Sequence, residues 1–378
     1  MSFWIFWVSV LVIAYTYVGY AVLVRVVATY AGVPPAERDG IFVPAVTVVI
    51  AAYNEAAGIA ERVQNILDQQ YPTASVRIIV VSDGSSDGTE RVAAIADNVQ
   101  VIALARNGGK AVALNAALRV ATTEFVVFTD ARQRFAPEAL RRLVAPFADP
   151  AVGAVSGELH IVDKISAQPL AADIGLYWRI EKSLREDEAE VGWLHGVSGA
   201  VCAVRRELFR DLPAGTILDD MWIPLQVIRA GRRVWMARDA VAYDMPSKDV
   251  AEEFRRKVRT LAGNWQLIAL LPWLLVPGRN PVFLAWFSHK FLRLIVPWAL
   301  LAAWLTSARM GGIYHWFWLM QTLGYLAAGC ALMAPAFAAR VPLLPASGTF
   351  LMLNAAAGLA LPAWLRLRRN PQGLWKKH

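Results

Sequence analysis

Four polar clusters, each directly after an apolar run, carry side chains suited to chemistry on a phosphate-bearing ligand. Val81-Ser82-Asp83-Gly84-Ser85-Ser86-Asp87-Gly88-Thr89 is an acid followed by a tight Gly/Ser turn and a helix start. Such a turn lets backbone approach a ligand closely, and Asp83 can accept hydrogen bonds from a nucleobase. Taken alone, the same residues also read as an ordinary capping turn. Ala52-Tyr53-Asn54-Glu55 follows another apolar run. Gly108-Gly109-Lys110 opens a helical stretch that reaches Asn115. Glycine at a helix start beside a lysine suits an anionic phosphate; a merely solvated lysine is the alternative. Phe128-Thr129-Asp130-Ala131 ends in an acid that could hold a divalent cation bridging two phosphates.

The elements that position these clusters are legible in the apolar pattern. Residues 46–52, 76–82, 99–105 and 124–130 are short β-branched runs, and 55–70, 86–97 and 109–121 between them read as helices. Alternation of buried strands with amphipathic helices predicts βαβ units and a mostly parallel sheet, an α/β fold. Ligands in such sheets bind beyond the carboxyl ends of the strands, where Tyr53, Glu55, Asp83 and Asp130 fall.

The rest of the chain is different in character. Of 378 residues, 57% are hydrophobic and the mean hydropathy is +0.40, above the roughly 45–50% apolar content of soluble domains. All 30 acids lie between Glu37 and Glu253 with 23 Lys/Arg, a net −7; the flanks hold the other 15 basic residues and no acid. Positive charge beside apolar runs fits anionic lipid headgroups and the cytosolic side of a membrane, and points away from nucleic acid. Cys202 and Cys330 lie far apart, which predicts no structural disulfide.

Residues 1–24 carry no charge. At ~1.5 Å per residue they reach about 36 Å, enough to span a bilayer core. The start lacks the basic residues of a cleavable signal, and Arg25 follows the apolar run, so an uncleaved anchor is expected. The expected layout is an anchor over 1–28, a linker over 29–44 with Pro34-Pro35, and a cytosolic domain over 45–264. An interfacial helix over 265–280, broken by Pro272, membrane helices within 281–366 and a basic tail over 367–378 follow. The later spans are expected at 284–308, 315–339 and 347–365. Arg366, Arg368, Arg369, Lys376 and Lys377 prefer the inside, so 347–365, with Asn354 and Pro362, is expected to lie in the interface instead of crossing.

The succession YNE, SDGSSDGT, GGKAVALN and TDA resembles that of family 2 inverting glycosyltransferases of the GT-A fold, over about residues 44–270. With the flanking spans, the chain is similar to membrane synthases of the cellulose, hyaluronan and poly-N-acetylglucosamine type, and to membrane enzymes that glycosylate lipids. The resemblance implies a nucleotide-sugar site, with Asp83 holding the base near Tyr53 and Glu55. Lys110 and Asp130 would also lie on the donor side. Asp130 would be the first acid of an Asp-x-Asp motif for Mg2+ or Mn2+, but Arg132 stands at the second acid position. Either metal binding is weakened or Arg132 supplies part of the positive charge.

Gly196-Val197-Ser198-Gly199-Ala200 resembles the small-residue segment lining the acceptor site; a tight turn is the alternative. Asp219-Asp220 lines up with the family's Glu-Asp pair, which implies that Asp220 is the general base that deprotonates the acceptor hydroxyl, with Asp219 beside it. Adjacent acids can raise one carboxyl's pKa, and two acids favoured by a helix N-terminus are the plain alternative. Arg259 takes the Arg of a Gln-x-x-Arg-Trp motif and would bind the leaving diphosphate; Arg256 replaces the Gln and Thr260 the Trp. That Trp normally stacks on the acceptor sugar of polymerising members, so its absence favours transfer of one or a few hexoses from a UDP-sugar to a lipid. Trp265 or Trp193 would be the substitute. The other readings are a processive polysaccharide synthase and a non-catalytic nucleotide-sugar-binding membrane subunit. The resemblance implies a bacterial-type inner or plasma membrane location with the catalytic domain cytosolic.

Overall fold

A computed structural model describes residues 1–36, 42–162, 176–245 and 250–369. Most of the basic tail and the middle of the expected linker lie outside them. The chain forms two units. One contains residues 31–172 and 185–246; the other contains 1–30, 173–184 and 247–370.

The first unit is built on an eight-stranded mixed sheet among the described residues, in the order β3-β2-β1-β4-β7-β6-β8-β5. β1 (Val46–Ala52), β2 (Val76–Ser82), β3 (Val99–Ala103) and β4 (Phe125–Asp130) are parallel to one another. β1 and β2 coincide with the runs 46–52 and 76–82, because strands covered on both faces stay apolar without alternation; Val46, Val48, Val49 and Ile50 are fully buried. In register, Ala52 of β1 faces Ser82 of β2 and Ala51 faces Asp130 of β4. Tyr53, Asp83 and Asp130 therefore share one edge of the sheet.

The second half of the sheet alternates in direction. β5 (Arg134–Phe135) pairs antiparallel with β8 (Arg233–Asp244), which runs parallel to β6 (Val152–Ile161). β7 (Cys202–Arg205) is antiparallel to both β4 and β6. The helices are shorter than the apolar pattern predicts, at Ile59–Leu67, Thr89–Ala93 and Lys110–Val120. Their first residues were claimed by the polar turns, which hold the backbone outside helical geometry.

Among the described residues, four helices are long and apolar enough to cross a membrane: Ser2–Ala31, Phe283–Met310, Ile313–Met333 and Leu344–Arg368. Asn354, which argued for an interfacial position, is buried and exchanges hydrogen bonds with the Tyr17 hydroxyl at 2.9 and 3.2 Å. A satisfied amide between apolar helices is compatible with a span. The expected interfacial helix over 265–280 is not a separate element. Residues 265–270 finish the helix Val250–Leu270, and Pro272, which cannot extend it, begins a short turn over Pro272–Leu275.

Candidate active site

The two loops at the ends of β1 and β2 are tied together by their own polar side chains. Asn54 adopts φ 52°, tolerated by Asn more readily than by most residues. Its amide donates to Ser85 Oγ at 3.0 Å and its side-chain oxygen accepts from the Ser86 amide at 2.9 Å. The Glu55 amide donates to Thr89 Oγ1 at 2.9 Å, and the Ala56 amide to Asp87 Oδ2 at 3.0 Å. The Thr89 hydroxyl and the Ala56 amide hold the Asp87 carboxyl below its ordinary range. Tyr53 and Glu55 stand half-buried on this double loop.

Asp83 lies just beyond β2, buried, and accepts from the Gly108 amide at 2.8 Å and the Gly109 amide at 2.7 Å. Its carboxylate thus shapes the glycine turn ahead of Lys110, an employment the sequence reading did not foresee. The spare lone pairs of a carboxylate still permit the expected contact with a base. Gly84 has φ 68°, and a Cβ there would come 2.5 Å from the backbone of Arg106 and Asn107. Only glycine lets the two loops meet.

The turn delivers Lys110 to the centre of the site. Its Nζ lies 2.8 Å from Asp130 Oδ1 and 2.9 Å from Asp219 Oδ2. Burial works against the ammonium's charge, but the Asp130 and Asp219 carboxylates outweigh it and hold the pKa well above the ordinary lysine value. One cation therefore joins three elements: the helix Lys110–Val120, the end of β4, and the helix Asp219–Arg229. Asp219 and Asp220 occupy that last helix's first turn, where its dipole favours acids. Beneath them Cys202 is buried, and burial pushes its thiol up, with Lys110 opposing.

The Gly196–Ala200 segment lies against this cluster. A Cβ at Gly199 would come 3.6 Å from both Asp220 Cβ and Lys110 Nζ. The segment is held at successive points. Arg185 donates to Gly196 O at 3.3 Å, and the Val197 amide to Asp220 O at 2.9 Å. The Ser198 amide donates to Ser156 Oγ at 2.9 Å, and Thr129 Oγ1 to Ala200 O at 2.7 Å. Asp83, Lys110, Asp130, Ser198, Gly199, Asp219 and Asp220 are thereby connected through bonds and contacts within one unit.

Arg62, Thr129, Ser156 and Arg185 were not foreseen. Arg62 had a signal: Ile59, Arg62, Val63 and Ile66 form the buried stripe of their helix, and an arginine on such a stripe demands a partner. It donates to Thr129 Oγ1 at 2.7 Å and lies over the Phe135 ring, 4.4 Å from its centroid. Burial and the neighbouring Arg134 lower its pKa to about 9, with Asp130 opposing, so it is charged at neutral pH.

Arg256, Arg259 and Trp265 belong to the other unit. Arg256 and Arg259 lie one helical turn apart on Val250–Leu270, both exposed, with Arg256 2.6 Å from Glu253. Trp265 is half-buried with its ring edge-on to Phe291, centroids 6.3 Å apart. Trp193, in the first unit, follows the helix Leu176–Glu190, and its amide donates to Glu188 O at 2.6 Å.

The donor set around Asp130 does not suit a tightly held divalent cation. Asp130 offers one carboxylate and that is ion-paired with Lys110; Arg132, in the second acid position, is exposed. The Gln133 amide group donates to Asp244 Oδ2 at 2.8 Å. Mg2+ at such sites is usually bound by one or two carboxylates, with substrate phosphates and waters completing its shell at about 2.0–2.1 Å, and the carboxylates here are engaged by Lys110.

Residues 47–213 match the family described as Glycosyl transferase family 2. The chain is 26% identical over 256 residues to an N-acetylglucosaminyltransferase of Bradyrhizobium diazoefficiens, covering 63% of this chain and 52% of that one. It is 25% identical over 230 residues to a poly-beta-1,6-N-acetyl-D-glucosamine synthase of Staphylococcus aureus, covering 59% and 55%. An O-antigen chain rhamnosyltransferase of Salmonella typhimurium is 29% identical over 231 residues, covering 56% and 69%. The chain spans about half the length of the first two relatives. Among solved structures, the mannosyltransferase PcManGT from Pyrobaculum calidifontis, in complex with GDP-Man and Mn2+, aligns with TM-score 0.71 at 26% identity, over 96% of this chain and 99% of that one.

Proposed function

We propose that this chain, which carries a family 2 glycosyltransferase domain, transfers a hexosyl unit with inversion from a UDP-sugar to a membrane-associated acceptor, a lipid. The observation that carries the reading is the Lys110 ammonium between Asp130 and Asp219, with Gly199 beside both it and Asp220, at the carboxyl ends of the parallel strands. Four helices able to cross a bilayer in the same chain support a membrane acceptor. The net charge of the flanks supports an inner or plasma membrane location with the catalytic domain in the cytosol.

In this reading the nucleotide lies on the loops carrying Tyr53, Glu55 and Asp83, and Lys110 meets the diphosphate. Asp220 takes the proton from the acceptor hydroxyl as that oxygen attacks the anomeric carbon. The bond from the anomeric carbon to the phosphate oxygen breaks, and the electron pair leaves with UDP. Lys110 offsets the departing charge. Ser198 and Gly199 are assigned to the acceptor. No step passes through a metal ion.

The test is nucleotide release by the detergent-purified full chain with a panel of UDP- and GDP-sugars, with and without membrane lipids, followed by product mass. A lipid carrying one or two added hexoses is the expected product. A long polydisperse glycan would instead establish a synthase like the staphylococcal relative. Donor binding without turnover of any sugar would point to a non-catalytic subunit.

A further inference from the structure

The Lys110 ammonium stands where two acids from different elements converge, the geometry in which a bound cation is ordinarily used. An ammonium has three N–H donors, and the 2.8 and 2.9 Å contacts to Asp130 and Asp219 use two of them. A Cβ at Gly199 would stand in van der Waals contact with Nζ at 3.6 Å, so the glycine puts no side chain against the ammonium. Asp130 is also answered from behind. Arg62, fully buried, donates to Thr129, the residue before Asp130, and its charge acts on Asp130. Two internal cations thus face the acid that would anchor a metal, and a third basic residue, Arg132, follows two positions later.

We propose that Lys110, backed by Arg62, is the permanent cation of this site, so that donor binding and transfer proceed without a tightly held divalent ion. The inference rests on the glycosyltransferase reading for its substrate and its turnover readout, but not for its Mn2+-binding readout. A divalent ion and this ammonium cannot occupy the same place between Asp130 and Asp219, because Nζ already fills the space between Asp130 Oδ1 and Asp219 Oδ2. The ammonium is covalently carried and already satisfied there. An ammonium between two carboxylates also offers its remaining donor to a diphosphate oxygen without recruiting an ion.

The experiment is Mn2+ binding to the full-length protein in detergent, read by the loss of the free-ion paramagnetic resonance signal, with UDP present. Turnover of the active donor is then measured before and after exhaustive chelation. The proposal expects no stoichiometric Mn2+ binding by the unmodified chain and a change in turnover below about twofold on chelation. It also expects that Lys110→Met weakens UDP binding about tenfold or more, the scale of one charge-assisted contact. The double variant Lys110→Met with Arg132→Asp, which restores a second acid and frees Asp130, is expected to bind one Mn2+. Stoichiometric Mn2+ binding by the unmodified protein that Asp130→Asn abolishes would overturn the proposal, as would turnover lost on chelation and restored by Mn2+. If no donor is turned over at all, the functional reading fails while the Mn2+ measurement still decides the question of the cation.

Discussion

Arg62 donates a hydrogen bond to the Thr129 hydroxyl at 2.7 Å, and that hydroxyl in turn donates to Ala200 O at 2.7 Å. A buried cation on one helix is thereby linked, through the residue preceding Asp130, to the segment against Asp220. Thr129→Val removes the donor to Ala200 O and leaves that carbonyl and Arg62 short of a partner. A loss of about 1–3 kcal/mol is expected, read as a lowered melting temperature of the purified protein. Arg62→Met keeps the volume but takes the donor away from the buried Thr129 hydroxyl, and a loss of about 1–3 kcal/mol is expected here too. Its kcat is expected to fall about tenfold while the donor KM moves less. Equal effects on both constants would indicate a role in donor binding alone.

Gly84→Ala tests whether the loops after β2 and before Lys110 must touch. The added Cβ meets backbone, not a movable side chain, at 2.5 Å, and the residue sits at φ 68°. Both penalties act together, and a destabilisation of about 1–3 kcal/mol is expected. Donor affinity should fall with it, because Asp83 and the glycine turn next to Lys110 are built on that contact. Titration of UDP against the variant at a temperature where it remains folded separates the two effects.

The first half of the sheet was readable because β1 and β2 are unbroken β-branched runs whose burial leaves no alternation to interpret. The second half was not. β7 has four residues, β6 contains Gly153, Gly157 and Glu158, and both find partners far away in sequence. Nothing local distinguishes such strands from loop, since their pairing is set by tertiary packing. The polar clusters announced the site, but not the division of labour inside it. Asp83, Asn54 and Asp87 spend bonds on holding loops, and this is invisible without knowing which amides face them. Lys110 was assigned to a phosphate, yet its pairing with both Asp130 and Asp219 depends on elements more than a hundred residues apart. Arg62 was the legible exception: a charge on an apolar stripe is an anomaly that the sequence displays openly.

Asp149 ties the first unit near neutral pH and releases it at low pH. Its carboxylate accepts from the Ala36 amide at 3.0 Å and the Ala151 amide at 2.8 Å. Burial raises its pKa, but these amides and the Arg233 and Arg205 charges outweigh burial and hold it below the ordinary value. A carboxyl with a depressed folded pKa contributes stability above its unfolded pKa of about 3.9 and loses it as pH falls through the folded value. Asp149→Asn is therefore expected to melt lower than the unmodified protein at pH 7, by about 1 kcal/mol. The gap should close below about pH 4. A gap that persists unchanged at low pH would assign the effect to shape instead of charge.

Asp219 and Asp220 are adjacent in sequence but hold different positions, and their variants should separate accordingly. Asp219 is paired with Lys110, so Asp219→Asn removes one of the two carboxylates that fix the ammonium. The expected result is a weakened donor interaction with a surviving fraction of turnover. Asp220 presents its carbonyl to the Val197 amide, and its Cβ lies against Gly199, on the side assigned to the acceptor. Asp220→Asn keeps the shape and the backbone bond but cannot take a proton. Turnover is expected to fall by about 100-fold or more, the range of a general base, with UDP affinity within about twofold of the unmodified protein. If Asp220→Asn retained more than a few per cent of turnover, the base would have to be sought elsewhere in the cluster. Asp219 would then be the next carboxylate to examine.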